Sequence, residues 1–342
     1  MDRLFEYQSF RRFGVEVELN TLSGLVKKLE HGQNPYGSQE IALTINKTLK
    51  EEVEIQGWDH NYNNDCWIVK PDSSCGIEVC TPVLKGWHGL KRLIKVIEAF
   101  KEGSFKADGR CSLHVHVNIA DLTKTQLASV IAWYIKFEHI FLDSVPQSRK
   151  LNKYCQMLGM TDIFYDSFPI NEDLLISGVS GTKYYSLNAY HFLKGGGFDD
   201  CNTRKKTIEF RIGESDLCLD GFAVKNWVRF LLHFVEITKN MPLPKKYVKG
   251  DPWSGLLWLD IKDLFSVLKF DQPCSEGLNQ IKNWFLDRVG KNGYNTGLPG
   301  VWSNNGRKKS RELFLQLNEK RAELLNENEE RDDLLFGRKY IK

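Results

Sequence analysis

At 342 residues and 42% hydrophobic composition, the chain can bury a substantial core without a disulfide or metal staple, so one large domain, or a domain with an appendage, is expected. Charged residues make up 27% and the formal net charge is +3, a balance that predicts neither a nucleic-acid nor a membrane-surface partner. No long apolar stretch follows the first charges and nowhere do about 18 apolar residues run together, so no signal peptide or membrane span is expected and a cytoplasmic location follows.

The run Arg12 to Asn20 alternates, with Phe13, Val15, Val17 and Leu19 on one face and Gly14, Glu16, Glu18 and Asn20 on the other, which predicts a half-buried strand. Ser38 to Glu51 and Trp87 to Glu102 carry apolar residues at helical spacing. Between them, Cys66 to Lys70 and Gly76 to Cys80 read as short strands around a turn at Pro71, Asp72, Ser73 and Ser74. Cys111 to Ile119 alternates strongly, placing Ser112, His114, His116 and Asn118 opposite Cys111, Leu113, Val115 and Val117. Thr123 to about Val145 predicts a long amphipathic helix.

Tyr184 to Tyr190 and Lys206 to Ile212 read as strands, with the glycine-rich stretch from Lys194 between them as a mobile loop or hairpin tip. Phe222 to Thr238 reads as an apolar helix ended by Met241, Pro242, Leu243 and Pro244. Strands and helices mix without a regular βαβ beat, which favours an antiparallel α+β architecture. The domain expectation is 1–245 as one unit and 246–342 as a mostly helical C-terminal extension, whose charges read as a solvated helix face. Eight cysteines without a CxxC pair point to reduced thiols, with Cys111 packing as a small hydrophobe.

Four segments carry unusual polar faces: Glu16 with Glu18, Glu78 between Ile77 and Val79, His114 with His116, and Glu209 with Arg211. Residues at i and i+2 on a strand share a face, so each pair can point into a common cleft. One such pair alone is more often an exposed sheet face; three pairs and the single Glu78 in one chain shift that balance. Clustered carboxylates with an imidazole suit a hard divalent cation, and without one they would repel each other toward protonation. Arg211 is a planar, permanently charged donor suited to a phosphate oxygen. No Walker or GxGxxG loop occurs in strand-loop-helix context, so any nucleotide would be held by metal ions and side chains.

The ordered set Phe13-Gly-Val-Glu-Val-Glu-Leu19, Lys70-Pro-Asp-Ser-Ser with Gly76-Ile-Glu-Val-Cys-Thr-Pro82, Ser112-Leu-His-Val-His-Val117 and Thr207-Ile-Glu-Phe-Arg211 resembles the amidoligase family. That family is a branch of the carboxylate-amine ligases related to glutamine synthetase and glutamate-cysteine ligase. The resemblance spans about residues 10 to 240, with Arg149-Lys-Leu-Asn152 and Tyr184-Tyr-Ser-Leu-Asn188 as weaker blocks. It implies a glutamine-synthetase-like curved antiparallel sheet flanked by helices, whose concave face holds two or more Mg²⁺ ions, replaceable by Mn²⁺, that bridge the phosphates of ATP.

Carried over by resemblance, Glu16, Glu18, Glu78, His116 and Glu209 would be metal ligands, and Arg211 would stabilise the transferred phosphoryl group. Lys70 and His114 would either touch nucleotide phosphate or serve as structural hydrogen-bonding residues. Arg149 and Asn152 would clamp a substrate carboxylate or form an ordinary salt bridge; Asn188 would bind substrate or satisfy backbone at a strand end. The implied reaction joins a small-molecule or peptide carboxylate to an amine through an acyl phosphate, with no membrane partner; a nucleic-acid or protein acceptor also fits this chemistry. The alternative is a metal-dependent hydrolase built on His114, His116 and carboxylates.

Overall fold

The computed structural model describes residues 11–20, 37–58, 65–146, 149, 152–156, 158, 172–198, 206–243, 261–270 and 275–292. The chain divides into two compact units, one of residues 1–118 with 210–232 and one of residues 119–209 with 233–342. Among the described residues the strands form an open, eight-stranded sheet in a mixed α+β arrangement, in the order β2 (Val53–Ile55), β3 (Trp67–Asp72), β4 (Gly76–Cys80), β1 (Arg12–Asn20), β6 (Ser112–Asn118), β8 (Thr207–Glu214), β7 (Leu187–Asn188), with β5 (Leu84–Lys85) beside β1.

In the first unit, β1 (Arg12–Asn20) is central. Its apolar face, Phe13, Val15, Val17 and Leu19, is buried, as the alternation requires. On one side it pairs antiparallel with β4 (Gly76–Cys80) and, at its start, with β5 (Leu84–Lys85). On the other it pairs antiparallel with β6 (Ser112–Asn118). Outside β4 lies β3 (Trp67–Asp72), antiparallel to β4, and beyond it β2 (Val53–Ile55) runs parallel to β3. The sheet is therefore mixed rather than purely antiparallel. β2 was not predicted, because three residues with a glutamate between two apolar ones carry almost no periodic signal.

Two helices of this unit, α1 (Ser38–Leu49) and α2 (Gly86–Glu102), bury Ile41 and Ile45 and Leu90, Leu93, Val96, Ile97 and Phe100, at i, i+3, i+4 and i+7 spacing. Pro71 and Asp72 lie inside β3, so the turn falls one step later than expected. The Asp72 Oδ1 accepts the backbone N–H groups of Ser74 at 2.7 Å and Cys75 at 3.1 Å and so closes the turn itself. β8 (Thr207–Glu214) passes from the second unit into the first, and Gly213 lets it approach β6: a Cβ there would lie 2.3 Å from the Leu113 carbonyl oxygen.

The described residues of the second unit are mostly helical. α3 (Lys124–Asp143) starts with a capping box in which Thr123 and Gln126 satisfy each other's backbone N–H groups, and nearly every residue from Leu127 onward is buried. α4 (Glu172–Gly178) precedes β7 (Leu187–Asn188) and α5 (Tyr190–Lys194). The strand expected over Tyr184 to Tyr190 is thus two residues long. The Asn188 side chain accepts from the Tyr190 N–H at 3.3 Å and donates to the Lys183 carbonyl at 3.0 Å, which turns the chain out of the ladder.

Gly195 to Gly197 form a helix stop rather than a hairpin tip. Gly197 donates to the Phe192 carbonyl and Gly196, at φ 99°, donates to the Leu193 carbonyl, the pattern of a Schellman cap.

α6 (Gly221–Thr238) follows a 3₁₀ turn at Ser215–Leu219 and crosses back into the second unit. Of residues 246–342, α7 (Ile261–Val267) and α8 (Glu276–Asn292) are described. Arg288 and Asn292 of α8 donate to the Ser144 carbonyl at the end of α3. Residues 246–260 and 293–342 lie outside the described residues.

Candidate functional site

The first unit gathers six of the predicted residues on one face of its sheet. Glu16 and Glu18 share the polar face of β1; register sets Glu16 opposite His114 on β6 and Glu18 opposite Glu78 on β4, with Lys70 of β3 next in the row. The side chains meet as the register demands. His114 Nδ1 lies 3.1 Å from Glu16 Oε2, and His116 Nε2 lies 3.1 Å from Glu16 Oε1. Ser112 Oγ stands 2.7 Å from both Glu18 Oε2 and His114 Nε2. Lys70 Nζ approaches Glu78 Oε1 at 2.6 Å.

The Ser112 hydroxyl has one hydrogen and two neighbours, so the row has two consistent proton arrangements. If Ser112 donates to Glu18, the ring must donate through both nitrogens and His114 is an imidazolium. A proton on Glu18 reverses the chain: Glu18 donates to Ser112, Ser112 to Nε2, and a neutral ring still donates Nδ1–H to Glu16.

Burial and charge act on the two carboxylates with opposite results. Burial raises the Glu16 pKa, but the His116 charge, hydrogen bonds from His114 and His116, and the Lys70 ammonium outweigh it and hold the group well below the usual carboxylate range. Glu18 is pushed up: burial is the largest cause, the His114 charge opposes it, and the neighbouring Asp72 and Glu78 charges add to it. Burial alone would lower Lys70, yet Glu78 next to it raises it, so the ammonium is held charged.

Two groups on this face have donor atoms within 4.8 Å of one another, Glu16 with Glu78 and Cys80, and Glu18 with Asp72 and Cys75. A divalent cation fits such oxygen-rich clusters, because it removes the mutual repulsion of their carboxylates. Asp72, Cys80 and Ser112 were missed in the sequence. The signal was present: each lies two residues from a chosen one, Asp72 from Lys70, Cys80 from Glu78 and Ser112 from His114, on the same strand face.

The model of the family described as "Putative amidoligase enzyme" matches residues 9–235, well over half of the chain. The chain belongs to this amidoligase family. No curated protein matches it. A bifunctional glutathione synthetase from Pasteurella multocida is among the solved structures it is similar to, at 11% identity and a TM-score of 0.41, covering 92% of this chain and 53% of that chain. The amidoligase thus spans about half the length of that chain.

The matched span of the amidoligase contains every predicted site residue. Arg211, half-buried, lies on the part of β8 that belongs to the first unit. Glu209 lies two residues before it on the same strand, in the second unit, where it is buried and accepts a hydrogen bond from Asn188 Nδ2 at 3.1 Å. Asn188 is itself buried on β7. In the same unit, Arg149 is buried, whereas the Asn152 Oδ1 accepts the Tyr154 N–H at 2.8 Å and closes a local turn.

Proposed function

We propose that this amidoligase is an ATP- and Mg²⁺-dependent carboxylate-amine ligase that forms an amide bond through an acyl phosphate. Family membership supports amide-bond formation in general; the observation that carries the finer reading is the row of carboxylates Glu16, Glu18 and Glu78, the first half-buried and the other two buried, beside His114 and His116. Two or more Mg²⁺ ions, replaceable by Mn²⁺, would be held by Glu16, Glu18, Glu78, His116 and Glu209. When bound, they would neutralise the ATP phosphates and the charge that develops on the transferred phosphoryl group.

The chain's own residues divide the remaining work. Glu16 is held as a carboxylate by its histidine neighbours, so it is ready to bind a cation at neutral pH. Arg211 supplies a fixed positive fork for the transferred phosphoryl oxygens. Lys70, paired with Glu78, would reach a phosphate if an ion took that carboxylate, and His114 orients Glu16 through its Nδ1 contact. Arg149 holds the substrate carboxylate, and Asn152 and Asn188 are its companions in substrate binding.

In the reaction, the substrate carboxylate oxygen bonds to the γ-phosphorus as its bond to the β,γ-bridging oxygen breaks and ADP departs. The amine nitrogen then bonds to the acyl carbon, the acyl C–O bond breaks, and phosphate leaves while the nitrogen loses a proton. The fold assigned with this reading is glutamine-synthetase-like, residues 1–245 forming the catalytic domain and 246–342 an extension, in the cytoplasm. Among the described residues no helix is long and apolar enough to cross a membrane.

Calorimetric titration of a nonhydrolysable ATP analogue tests this. Binding that requires Mg²⁺ and disappears in Glu16→Gln/Glu209→Gln protein is expected, and it would justify screening carboxylates and amines for phosphate release. A wild-type protein that binds no nucleotide with Mg²⁺ or Mn²⁺ overturns the reading in favour of a hydrolase.

A further inference from the structure

The ligase reading leaves Ser112 without a task, although it sits at a junction of the acidic face. It is the first residue of β6 and buried, and its Oγ lies 2.7 Å from Glu18 Oε2 and 2.7 Å from His114 Nε2. The contact extends to a second carboxylate, because Nδ1 of the same ring lies 3.1 Å from Glu16 Oε2. One hydroxyl on β6 therefore reaches both glutamates of β1, Glu18 directly and Glu16 through the imidazole.

An imidazole is rigid, so its two nitrogens cannot be aimed independently. With Nε2 held by Ser112, the direction of Nδ1 toward Glu16 is set as well. The two oxygens of Glu18 are made unequal by the same contact. Oε2 is taken by Ser112, whereas Oε1 stands 3.6 Å from His114 Nε2, beyond hydrogen-bond reach, and is left for an ion. A glutamate without such a partner would lose rotamer freedom when an ion immobilised it. Glu18 has surrendered part of that freedom on folding, so cation binding costs it less.

Serine suits this junction because a hydroxyl can donate to one neighbour and accept from the other at once. Satisfying two buried polar groups would by itself account for the residue, but that role predicts only lost stability on truncation, with cation affinity intact in the folded protein.

We propose that Ser112 is a positioning residue of the cation site: its hydroxyl fixes the Glu18 carboxylate with Oε1 presented to the ion and, through His114, fixes Glu16. The inference rests on the Mg²⁺ ligand set of the ligase reading and adds to it the group that holds two of those ligands in place.

Mn²⁺ is the probe, added to the full chain without and with a nonhydrolysable ATP analogue, and its binding is read as loss of the free-ion electron paramagnetic resonance signal. Ser112→Thr and Ser112→Val have the same shape and differ in the hydroxyl, so crowding by the added carbon is common to both. Ser112→Val should lose about 10–100-fold in Mn²⁺ affinity, the scale of losing a group that orients a metal ligand, while Ser112→Thr stays close to wild type. Ser112→Ala, which adds no volume, should fall with Ser112→Val. Ser129→Ala removes a buried hydroxyl of the second unit that lies 2.7 Å from the Thr238 and Met241 carbonyl oxygens, and it should keep wild-type affinity.

A crystal structure of Mn²⁺-loaded wild type needs no variant and should show the ion on Glu18 Oε1 with Ser112 Oγ still on Oε2. Wild-type affinity in Ser112→Ala and Ser112→Val, equal losses in Ser112→Thr and Ser112→Val, or an ion that displaces Ser112 and takes both Glu18 oxygens would overturn the inference and leave the ligase reading standing. A wild type that binds no Mn²⁺, alone or with the analogue, would overturn both.

Discussion

The Lys70 ammonium and the Glu78 carboxylate face each other across β3 and β4 at 2.6 Å, with only 10% of either side chain exposed. This lysine neutralises a buried carboxylate that stands opposite Glu18 in the sheet.

Lys70→Met should therefore destabilise the metal-free protein by about 3–5 kcal/mol, since removing one partner leaves an uncompensated buried charge. Urea denaturation in the presence of a chelator measures this. Saturating Mg²⁺ should return part of the loss, because the ion replaces the ammonium at Glu78. A variant as stable as wild type without metal would mean that Glu78 is neutralised some other way.

Gly213→Ala tests the close approach of β8 to β6. Its Cβ would meet backbone, the Leu113 carbonyl oxygen at 2.3 Å, and backbone cannot rotate away as a side-chain tip can. A loss of at least about 2 kcal/mol is expected, with a lowered midpoint in thermal or urea unfolding. Because Leu113 lies between Ser112 and His114, any shift of β6 that relieves the clash should also weaken cation binding.

How much of this was readable in the sequence depended on the period. Glu16, Glu18, His114 and His116 lie in runs of seven or more alternating residues, so both the strands and the shared polar faces were legible. Which carboxylate meets which histidine was not, because register is a relation between strands that the sequence of each strand alone leaves open. Around Asn188 a local side-chain turn won over strand propensity, and at Gly195 to Gly197 the glycines mark a helix stop, which a glycine run does not distinguish from a loop.

The start of α6 offers a contained test of a long-range cap. Glu98 of α2 accepts the Gly221 N–H at 2.8 Å, placing a carboxylate at the N-terminus of an 18-residue helix. Glu98→Ala should cost about 0.5–2 kcal/mol, the range of a lost cap, with Glu98→Gln costing less because its oxygen can still accept. Equal losses in the two variants would assign the effect to packing rather than to the hydrogen bond.

Glu18 should reveal the conflict between stability and cation binding most directly. Its folded pKa stands above its unfolded value, chiefly because it is buried, against the pull of the His114 charge and with Asp72 and Glu78 adding to the push. A raised carboxyl pKa contributes stability that is fully present below the unfolded value and is lost as pH rises through the folded one. Where Glu18 is ionised it is therefore a burden on the metal-free fold, and Glu18→Gln should be more stable than wild type there. Acidification should close the gap as the wild-type carboxyl takes up its proton. Adding Mg²⁺ should reverse the order, since wild type gains binding free energy that the amide cannot match. Thermal unfolding of both proteins at several pH values, with chelator and with metal, measures all three effects. A gap in chelator that persists unchanged on acidification would show that the buried charge at Glu18 is not its source.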